Sequence, residues 1–292
     1  MKVILLGTAA GGGFPQWNCA CATCADPTLP PRTQDGLAIS ADGSNWYLVN
    51  ASPDIRTQIL ATPVLRAGPG LRETPIRGVF LTDAELDHTL GLMMLREGAG
   101  LDVHAPPAVL AALRDDFAVR PMVGRYGAWT WSTVNSDQYV GGLRVKVLAV
   151  SNKQPKYVTG AAAGPWVVAY RFEDPATGGV LVYAPCLASW PEGFDEFVDG
   201  AAYVLLDGTF YDGGELAAKA DATSKAQTVM GHLPIEASLD HIRKLSAAQP
   251  GTAWSYTHLN NTNPALNPAT VQYAGIRAAG VKVPPDGTAL EL

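Results

Sequence analysis

The sequence predicts an α+β fold, a four-layer αβ/βα sandwich with two β-sheets inside and helices outside. Strands and helices are mixed along the chain, and each half contains a long β-rich block. No linker-like run, internal repeat or low-complexity segment divides the 292 residues, and a chain of this length can bury one large core. We therefore expect a single domain over residues 1–292.

The predicted strands are short apolar runs that occur in both halves of the chain. Asp42-Gly43 separates two of these runs and is a signal for a hairpin turn. The strands are predicted at residues 3–6, 37–40, 46–49, 79–81, 101–104, 143–150, 166–171, 180–183 and 203–206.

The predicted helices lie between these strands and after them. The first is expected to have Ser52 as its N-cap and Pro53 at its first helical position, and to end near Leu60. The others are predicted at residues 107–117, 235–248 and 268–279.

Composition excludes several classes of protein. Hydrophobic residues make up 47% of the chain and charged residues 16%, which is ordinary for a globular protein and excludes a disordered one. The net charge of −6 without a basic run argues against nucleic-acid binding. No apolar run approaches the roughly 20 residues of a membrane span. The apolar N-terminus meets Gly11-Gly12-Gly13 too early for a signal peptide, so we expect a cytoplasmic protein.

The most informative stretch is residues 82–88, Thr-Asp-Ala-Glu-Leu-Asp-His. It follows the apolar run 78–81 and precedes a glycine-containing helix start, which is typical of a buried strand that ends in a polar loop. Such strand ends are where α/β architectures place their chemistry. Asp87 and His88 are therefore candidate metal ligands.

This candidate site needs further ligands, and the chain has only five histidines. His258 follows a short β-like run and begins a polar, turn-rich loop, so it also lies at a predicted strand end. His232 precedes a predicted helix N-terminus, a position suited to contact with an anionic group. We expect His104 and His241 to be structural.

Asp87, His88 and His258 would give one ion two imidazoles and one carboxylate. That is the ligand set of mononuclear non-haem Fe(II) oxygenases, which leave positions open for O2 and substrate. Zinc hydrolases use the same ligand types, so the set alone leaves both chemistries open. Either histidine taken singly could instead be a half-buried, hydrogen-bonded side chain.

Three of the four cysteines lie within six residues, as Cys19, Cys21 and Cys24. Without a secretion signal, such a cluster is more typical of a metal site than of a disulfide framework. Its spacing lets three thiolates converge on one tetrahedral zinc ion. We expect a structural zinc site that holds the loop 11–36 in place; cysteines without metal are the alternative.

Together these motifs resemble the pyrroloquinoline quinone (PQQ) biosynthesis protein B family, a branch of the metallo-β-lactamase superfamily. The resemblance covers essentially the whole chain and implies the metallo-β-lactamase fold. The motifs that carry it are residues 7–13, 15–19, 82–92, 230–232 and 258–264.

The resemblance implies that one of the superfamily's two metal positions is missing here. In the superfamily motif Thr-His-x-His-x-Asp-His, the first two histidines correspond to Asp83 and Glu85, and a third corresponds to Asn152. The aspartate that bridges two metals corresponds to Cys186. This argues against two-metal hydrolysis. Cys186 and the nearby Asp207 are further candidate ligands for the remaining ion.

The resemblance also bears on the zinc cluster. In related phosphodiesterases, a histidine three residues beyond the last metal histidine completes the three-cysteine site. That position is Asn261 here, so the fourth zinc ligand is left unassigned.

The resemblance implies a role in PQQ biosynthesis, as an Fe(II)- and O2-dependent hydroxylase of the tyrosine ring in a peptide-derived glutamate–tyrosine precursor. His232 would orient the substrate or transfer a proton, and Glu85 and Asp83 would contact substrate amino groups. The expected partners are the precursor and O2, without nucleic acid or membrane; a homodimer is left open. The alternatives are a carrier that assists transport of PQQ or its precursor to the periplasm, and a single-zinc hydrolase.

Overall fold

A computed structural model of the chain describes residues 1–98, 100–160, 162–215 and 230–292. Its strands, in chain order, are β1 Lys2–Gly7, β2 Gly36–Ser40, β3 Trp46–Val49, β4 Ile76–Phe80, β5 Asp102–Ala105, β6 Thr130–Thr133, β7 Asp137–Val140, β8 Leu143–Ser151, β9 Val167–Glu173, β10 Val180–Ala184, β11 Tyr203–Asp207, β12 Ala253–Thr257 and β13 Ala289–Glu291.

The helices lie between the strands. They are α1 Ala22–Ala25, α2 Ile55–Ala61, α3 Leu86–Thr89, α4 Gly91–Met94, α5 Pro107–Asp115, α6 Val119–Val123, α7 Phe194–Val198, α8 Ile235–Ala248 and α9 Val271–Ala278, with short 3₁₀ turns at Pro63–Leu65, Leu95–Glu97 and Pro264–Leu266. Within the described ranges, no helix is both long and apolar enough to cross a membrane.

The strands form two mixed sheets. The first has the order β13-β1-β2-β3-β4-β5-β6, and its strands β3 to β6 are parallel. The second has the order β12-β11-β10-β9-β8-β7, and β10 to β12 are parallel. In each sheet the parallel strands end at one edge, which places the loops after them together.

The two sheets pack face to face through alternate side chains of their strands. In β2, Leu37 and Ile39 belong to the cluster shared by both sheets, whereas Ala38 faces the outer, helix-covered side. Across the interface, the Phe80 ring lies 5.5 Å from the Tyr170 ring and 5.4 Å from the Phe172 ring, both edge-on. The predicted sandwich of two inner sheets and outer helices is confirmed.

The predicted hairpin is also confirmed, because β2 and β3 pair antiparallel. Asp42 Oδ1 accepts hydrogen bonds from the backbone N–H groups of Ser44 and Asn45, both at 2.8 Å, and Gly43 takes φ +76°. This is the Asx-type turn chemistry that the Asp-Gly pair indicates.

Two predicted helix starts are wrong. The helix α2 begins at Ile55 with Asp54 as its N-cap, because Ser52 Oγ accepts from the Asp54 N–H and forms a turn before the helix. The helix predicted from residue 268 begins at Val271, where Thr270 is the N-cap and accepts from the Tyr273 N–H at 3.1 Å. The strands β6, β7 and β13 were not predicted, because their residues are mostly exposed and lack an apolar run.

Candidate metal centre

Loops that follow parallel strands of both sheets meet at a cavity of about 590 Å³. The loop after β4 supplies Asp87 and His88, and the loop after β10 supplies Cys186. The loops after β11 and β12 supply Thr209 and His258. The structure therefore brings together the residues that the sequence placed at separate strand ends.

Asp83 fixes the orientation of the His88 ring. Its two carboxylate oxygens lie 2.9 and 2.8 Å from His88 Nδ1, and the Thr82 hydroxyl donates to the same carboxylate at 2.7 Å. Asp83 is buried. A carboxylate on one ring nitrogen sets the tautomer and leaves the other nitrogen for a metal. The geometry thus favours a positioning role for Asp83 rather than the predicted contact with substrate.

His88 Nε2 is an orphaned polar atom. It is buried, and none of the described residues gives it a hydrogen-bond partner, which is costly for a polar group. Burial disfavours the charged imidazolium, but the carboxylates of Asp83 and Asp87 outweigh it and raise the pKa of His88 to about 10. The centre is therefore suited to a positive charge at this nitrogen, and the proton would leave on metal binding.

Asp87 and His258 lie beside this nitrogen. Asp87 Oδ2 is 3.9 Å from His88 Nε2 and 3.3 Å from His258 Nε2. His258 adopts the left-handed conformation with φ +58°, a strained geometry for a non-glycine residue that is typical of functional sites. A side chain at Gly11 would place its Cβ 3.1 Å from Asp87 Oδ2, so glycine there leaves room around this oxygen.

Thr209 orients His258, and Asp207 orients His232. Its hydroxyl donates to Asp207 Oδ1 at 2.7 Å and therefore accepts from His258 Nδ1, also at 2.7 Å. The His258 Nε2 lone pair is then free for a ligand. His232 Nδ1 lies 2.8 Å from Asp207 Oδ2, so His232 keeps its own Nε2 for the cavity that it lines.

Asp207 lies behind these histidines. It is buried, and the Leu187 and Thr209 N–H groups donate to its two oxygens at 2.8 and 2.9 Å. With His232 and Thr209 as further partners, both oxygens are already engaged. The geometry therefore favours Asp207 as a holder of His232 over its predicted role as a metal ligand.

Cys186 is the other additional candidate, and it lies within the centre. Its Sγ and the ligand nitrogens of His88 and His258 all lie within 4.8 Å of one another. Burial, together with the nearby carboxylates, raises the pKa of the Cys186 thiol well above its ordinary value. Cys186 would therefore become a thiolate only beside a bound cation.

The donor set fits a single metal ion. Asp87 Oδ2 lies 3.9 Å from His88 Nε2 and 3.3 Å from His258 Nε2 beside the cavity, and His88 Nε2 has no hydrogen-bond partner among the described residues. The residues at the positions that bind the second metal in the superfamily do not converge on a common point. Asp83 is bound to His88, Glu85 to Lys153, and Asn152 is exposed and outside the cavity lining.

Glu85 lies at the rim of the cavity. Its Oε1 forms an ion pair with Lys153 Nζ at 3.3 Å, and about a third of each side chain is exposed. The Tyr157 hydroxyl donates to the Ala84 carbonyl at 2.6 Å and joins the loop after β8 to the loop after β4. The predicted contact of Glu85 with substrate would have to compete with Lys153.

The three cysteines form a separate cluster around the short helix α1. Their Sγ atoms all lie within 4.8 Å of one another, and the Cys24 N–H donates to Cys21 Sγ at 3.5 Å. The Asn261 side-chain NH2 group donates to Cys24 Sγ at 3.3 Å, and the Asn261 backbone carbonyl oxygen lies 3.9 Å from the same sulfur. The three sulfurs fit three corners of a tetrahedral ion, while the Asn261 NH2 group is a hydrogen-bond donor and does not supply the fourth ligand.

Several residues of the centre were missed by the sequence analysis. Thr209 follows the predicted strand end at Asp207, which was the available signal. Asp35 lies beneath the centre, buried, and accepts from the hydroxyls of Tyr183 and Thr257. No sequence pattern marked Asp35, because its partners are distant in the chain. His104 and His241 are structural as expected; His104 stacks on Phe80, and His241 on Trp190, outside the cavity lining.

Comparison with known proteins gives the family. The family model of the beta-lactamase superfamily domain matches residues 45–250. Coenzyme PQQ synthesis protein B of Methylorubrum extorquens is 36% identical over the full length of both chains. The protein of that name from Methylobacterium nodulans is 37% identical, also over both full lengths. The chain belongs to the coenzyme PQQ synthesis protein B family.

Solved structures agree with this family. The structure described as Zn²⁺-bound PqqB from Methylobacterium extorquens covers all of both chains at 35% identity with a TM-score of 0.88. A diphosphatase of the PhnP family covers 100% of this chain and 97% of its own at 19% identity and a TM-score of 0.69, which shows the shared fold. The metallo-β-lactamase fold is thereby established for this member of the family.

Asp83→Asn tests whether the Asp83 carboxylate positions the His88 ring. Loss of a carboxylate that orients a metal-bound histidine typically costs about 10- to 100-fold in metal affinity, and we expect that loss at the candidate centre. Competition titration with a chromophoric chelator measures it. Asp102→Asn, on β5 outside this cavity, is the matched control; equal metal affinities of Asp83→Asn and the unsubstituted protein would contradict the role.

Proposed function

We propose that this protein acts in PQQ biosynthesis as an Fe(II)- and O2-dependent hydroxylase. Its substrate would be the tyrosine ring of a peptide-derived glutamate–tyrosine precursor. The observation that supports this is the set of Asp87, His88 and His258 on a cavity, where Asp83 is bound to His88 and Glu85 to Lys153 instead of converging on a second ion. Two imidazoles and one carboxylate with open positions are typical of non-haem Fe(II) oxygenases.

The cavity can accommodate a phenol ring. Its walls include Leu86, Leu90, Val167 and Phe210, which would contact an aromatic ring and exclude water from it. An Fe(II) ion held by the three ligands would supply O2 activation. One oxygen atom would enter the ring, the second would leave as water, and an external reductant would provide two electrons.

His232 is the proposed proton-transfer group. Its Nδ1 is held by Asp207, so Nε2 is the nitrogen available in the cavity. A histidine fixed in this way can accept the phenol proton while the substrate is oriented. Asp83 and Thr209 would act through His88 and His258 by keeping the nitrogen of each toward the ion.

The experiment that tests the proposal is anaerobic reconstitution with Fe(II), followed by a tyrosine-containing precursor, ascorbate and air. We expect a product heavier by one oxygen atom, detected by mass spectrometry, and none from the Zn²⁺-loaded protein. Failure of the Fe(II)-loaded protein to hydroxylate the precursor would contradict the proposal.

A single-zinc hydrolase is the second candidate, because a relative has been described as Zn²⁺-bound. It predicts ester or phosphodiester turnover by the Zn²⁺-loaded protein under anaerobic conditions, which the hydroxylase does not. Tight stoichiometric binding of PQQ that persists in His88→Ala, without turnover under either condition, would instead support the carrier.

A further inference from the structure

The rim of the cavity carries two lysines, whereas carboxylates lie in its interior. Asp83 is bound to His88, and Asp87 faces the two metal-binding histidines, so neither carboxylate is free for a ligand. The cationic side chains among the described lining residues, apart from the histidines, are Lys153 and Lys156. Both are accessible, since Lys153 is one-third exposed and Lys156 is exposed.

Both lysines belong to a loop that is fixed to the metal-binding loop. The Tyr157 hydroxyl donates to the Ala84 carbonyl at 2.6 Å. The Lys153 N–H donates to Ser151 Oγ at 3.0 Å at the end of β8. Gly231 takes φ +84°, and a Cβ there would lie 2.6 Å from Lys153 Cδ, so the lysine stem packs closely against this glycine. These contacts fix Lys153 and Tyr157, the residue after Lys156, at the rim.

The two ammonium groups differ in their partners. Lys153 Nζ forms an ion pair with Glu85 Oε1 at 3.3 Å. No described residue forms an ion pair or hydrogen bond with the Lys156 side chain. Because Glu85 is itself partly exposed, its pairing with Lys153 is weak and can give way to a ligand carboxylate. The rim therefore offers two ammonium groups beside the cavity that contains the candidate metal centre.

We propose that Lys153 and Lys156 form an anion subsite that binds the carboxylate groups of an aromatic amino-acid derivative whose ring enters the cavity. The identity of the ring rests on the proposed function, but the subsite does not require that oxygen be activated. Ammonium groups bind carboxylates through charge-assisted hydrogen bonds, and this would fix which end of the ligand faces the candidate metal centre.

Anaerobic calorimetry on the Zn²⁺-loaded protein tests the subsite. The probes are the dipeptide glutamyl-tyrosine, which has two carboxylates, and tyramine, which has the ring and none. In Lys153→Met combined with Lys156→Met, the lysine stems are retained approximately and the charges are lost. We expect the dipeptide to bind about 10- to 100-fold more weakly, as for lost charged hydrogen bonds, and tyramine, itself a cation, to bind no more weakly.

Lys244→Met on α8, an exposed lysine outside the cavity lining, is the matched control and should bind both probes as the unsubstituted protein does. Undiminished dipeptide binding by the double variant would overturn the subsite. An equal loss of tyramine binding would also overturn it, because the lysines would then shape the cavity rather than bind carboxylate. Absence of dipeptide binding to the unsubstituted protein would do so as well. None of these outcomes depends on hydroxylation, so the subsite and the proposed function can fail separately.

Discussion

His88→Ala is expected to remove the ion of the candidate centre and to lower turnover by more than about 100-fold. Loss of a residue that only orients a metal ligand costs up to about 100-fold, and loss of a ligand itself should cost more. His88 is buried and offers Nε2 to the centre without another partner among the described residues. Alanine would leave Asp87 and His258 as an incomplete site. Metal analysis of the purified variant should show one ion fewer per chain, with the cysteine-cluster ion retained.

The control for this substitution is His241→Gln. The His241 ring stacks on Trp190 with 4.4 Å between ring centroids and does not line the cavity. It should leave metal content and turnover unchanged. Full metal content in His88→Ala, or equal losses in both variants, would contradict the assignment of His88 as a ligand.

Cys24→Ser is expected to lower the free energy of unfolding by about 3 kcal/mol or more, because zinc binding by small structural sites is worth about 10–16 kcal/mol. Residues 11–35 between β1 and β2 contain α1 as their only regular element within the described part of the chain. Hydrogen bonds hold the ends of this loop at Phe14, Arg32 and Thr33, so the cluster would mainly fix the segment between them. Denaturant unfolding with and without a chelator measures the effect, together with the zinc content.

Thr23→Ala, in the same short helix, is the matched control and should retain zinc. Asn261→His provides the converse test, because an imidazole is a better fourth zinc ligand than an amide, and it should slow zinc loss to a chelator. Equal unfolding free energies for Cys24→Ser and Thr23→Ala would contradict a structural ion at the cluster.

Much of the fold and part of the centre could be predicted because they depend on local patterns. Apolar runs and the Asp42-Gly43 turn fixed the inner strands, and polar residues at strand ends pointed to Asp87, His88 and His258. His258 lies 171 residues beyond Asp87, but the parallel strands β4 and β12, one in each sheet, both end at the cavity. The edge strands β6, β7 and β13 bury little and left no such pattern.

The roles of supporting residues could not be predicted, because they depend on contacts between distant parts of the chain. Thr209 reaches His258, 49 residues away, and Asp35 accepts from Thr257, 222 residues away. Asp83 was expected at the substrate, yet it holds the ring of His88, five residues away. A carboxylate in a polar loop has the same sequence signature in either role, and only burial and geometry separate them.

The measurement that tests the central claim most directly is the origin of the oxygen atom in the product. The Fe(II)-loaded protein would be given the precursor and a reductant under isotopically labelled O2 in ordinary water, and then under ordinary O2 in labelled water. A single-ion hydroxylase predicts that the new ring oxygen derives from O2. A ring oxygen that derives from water would contradict it and would indicate addition of water to an already oxidised ring.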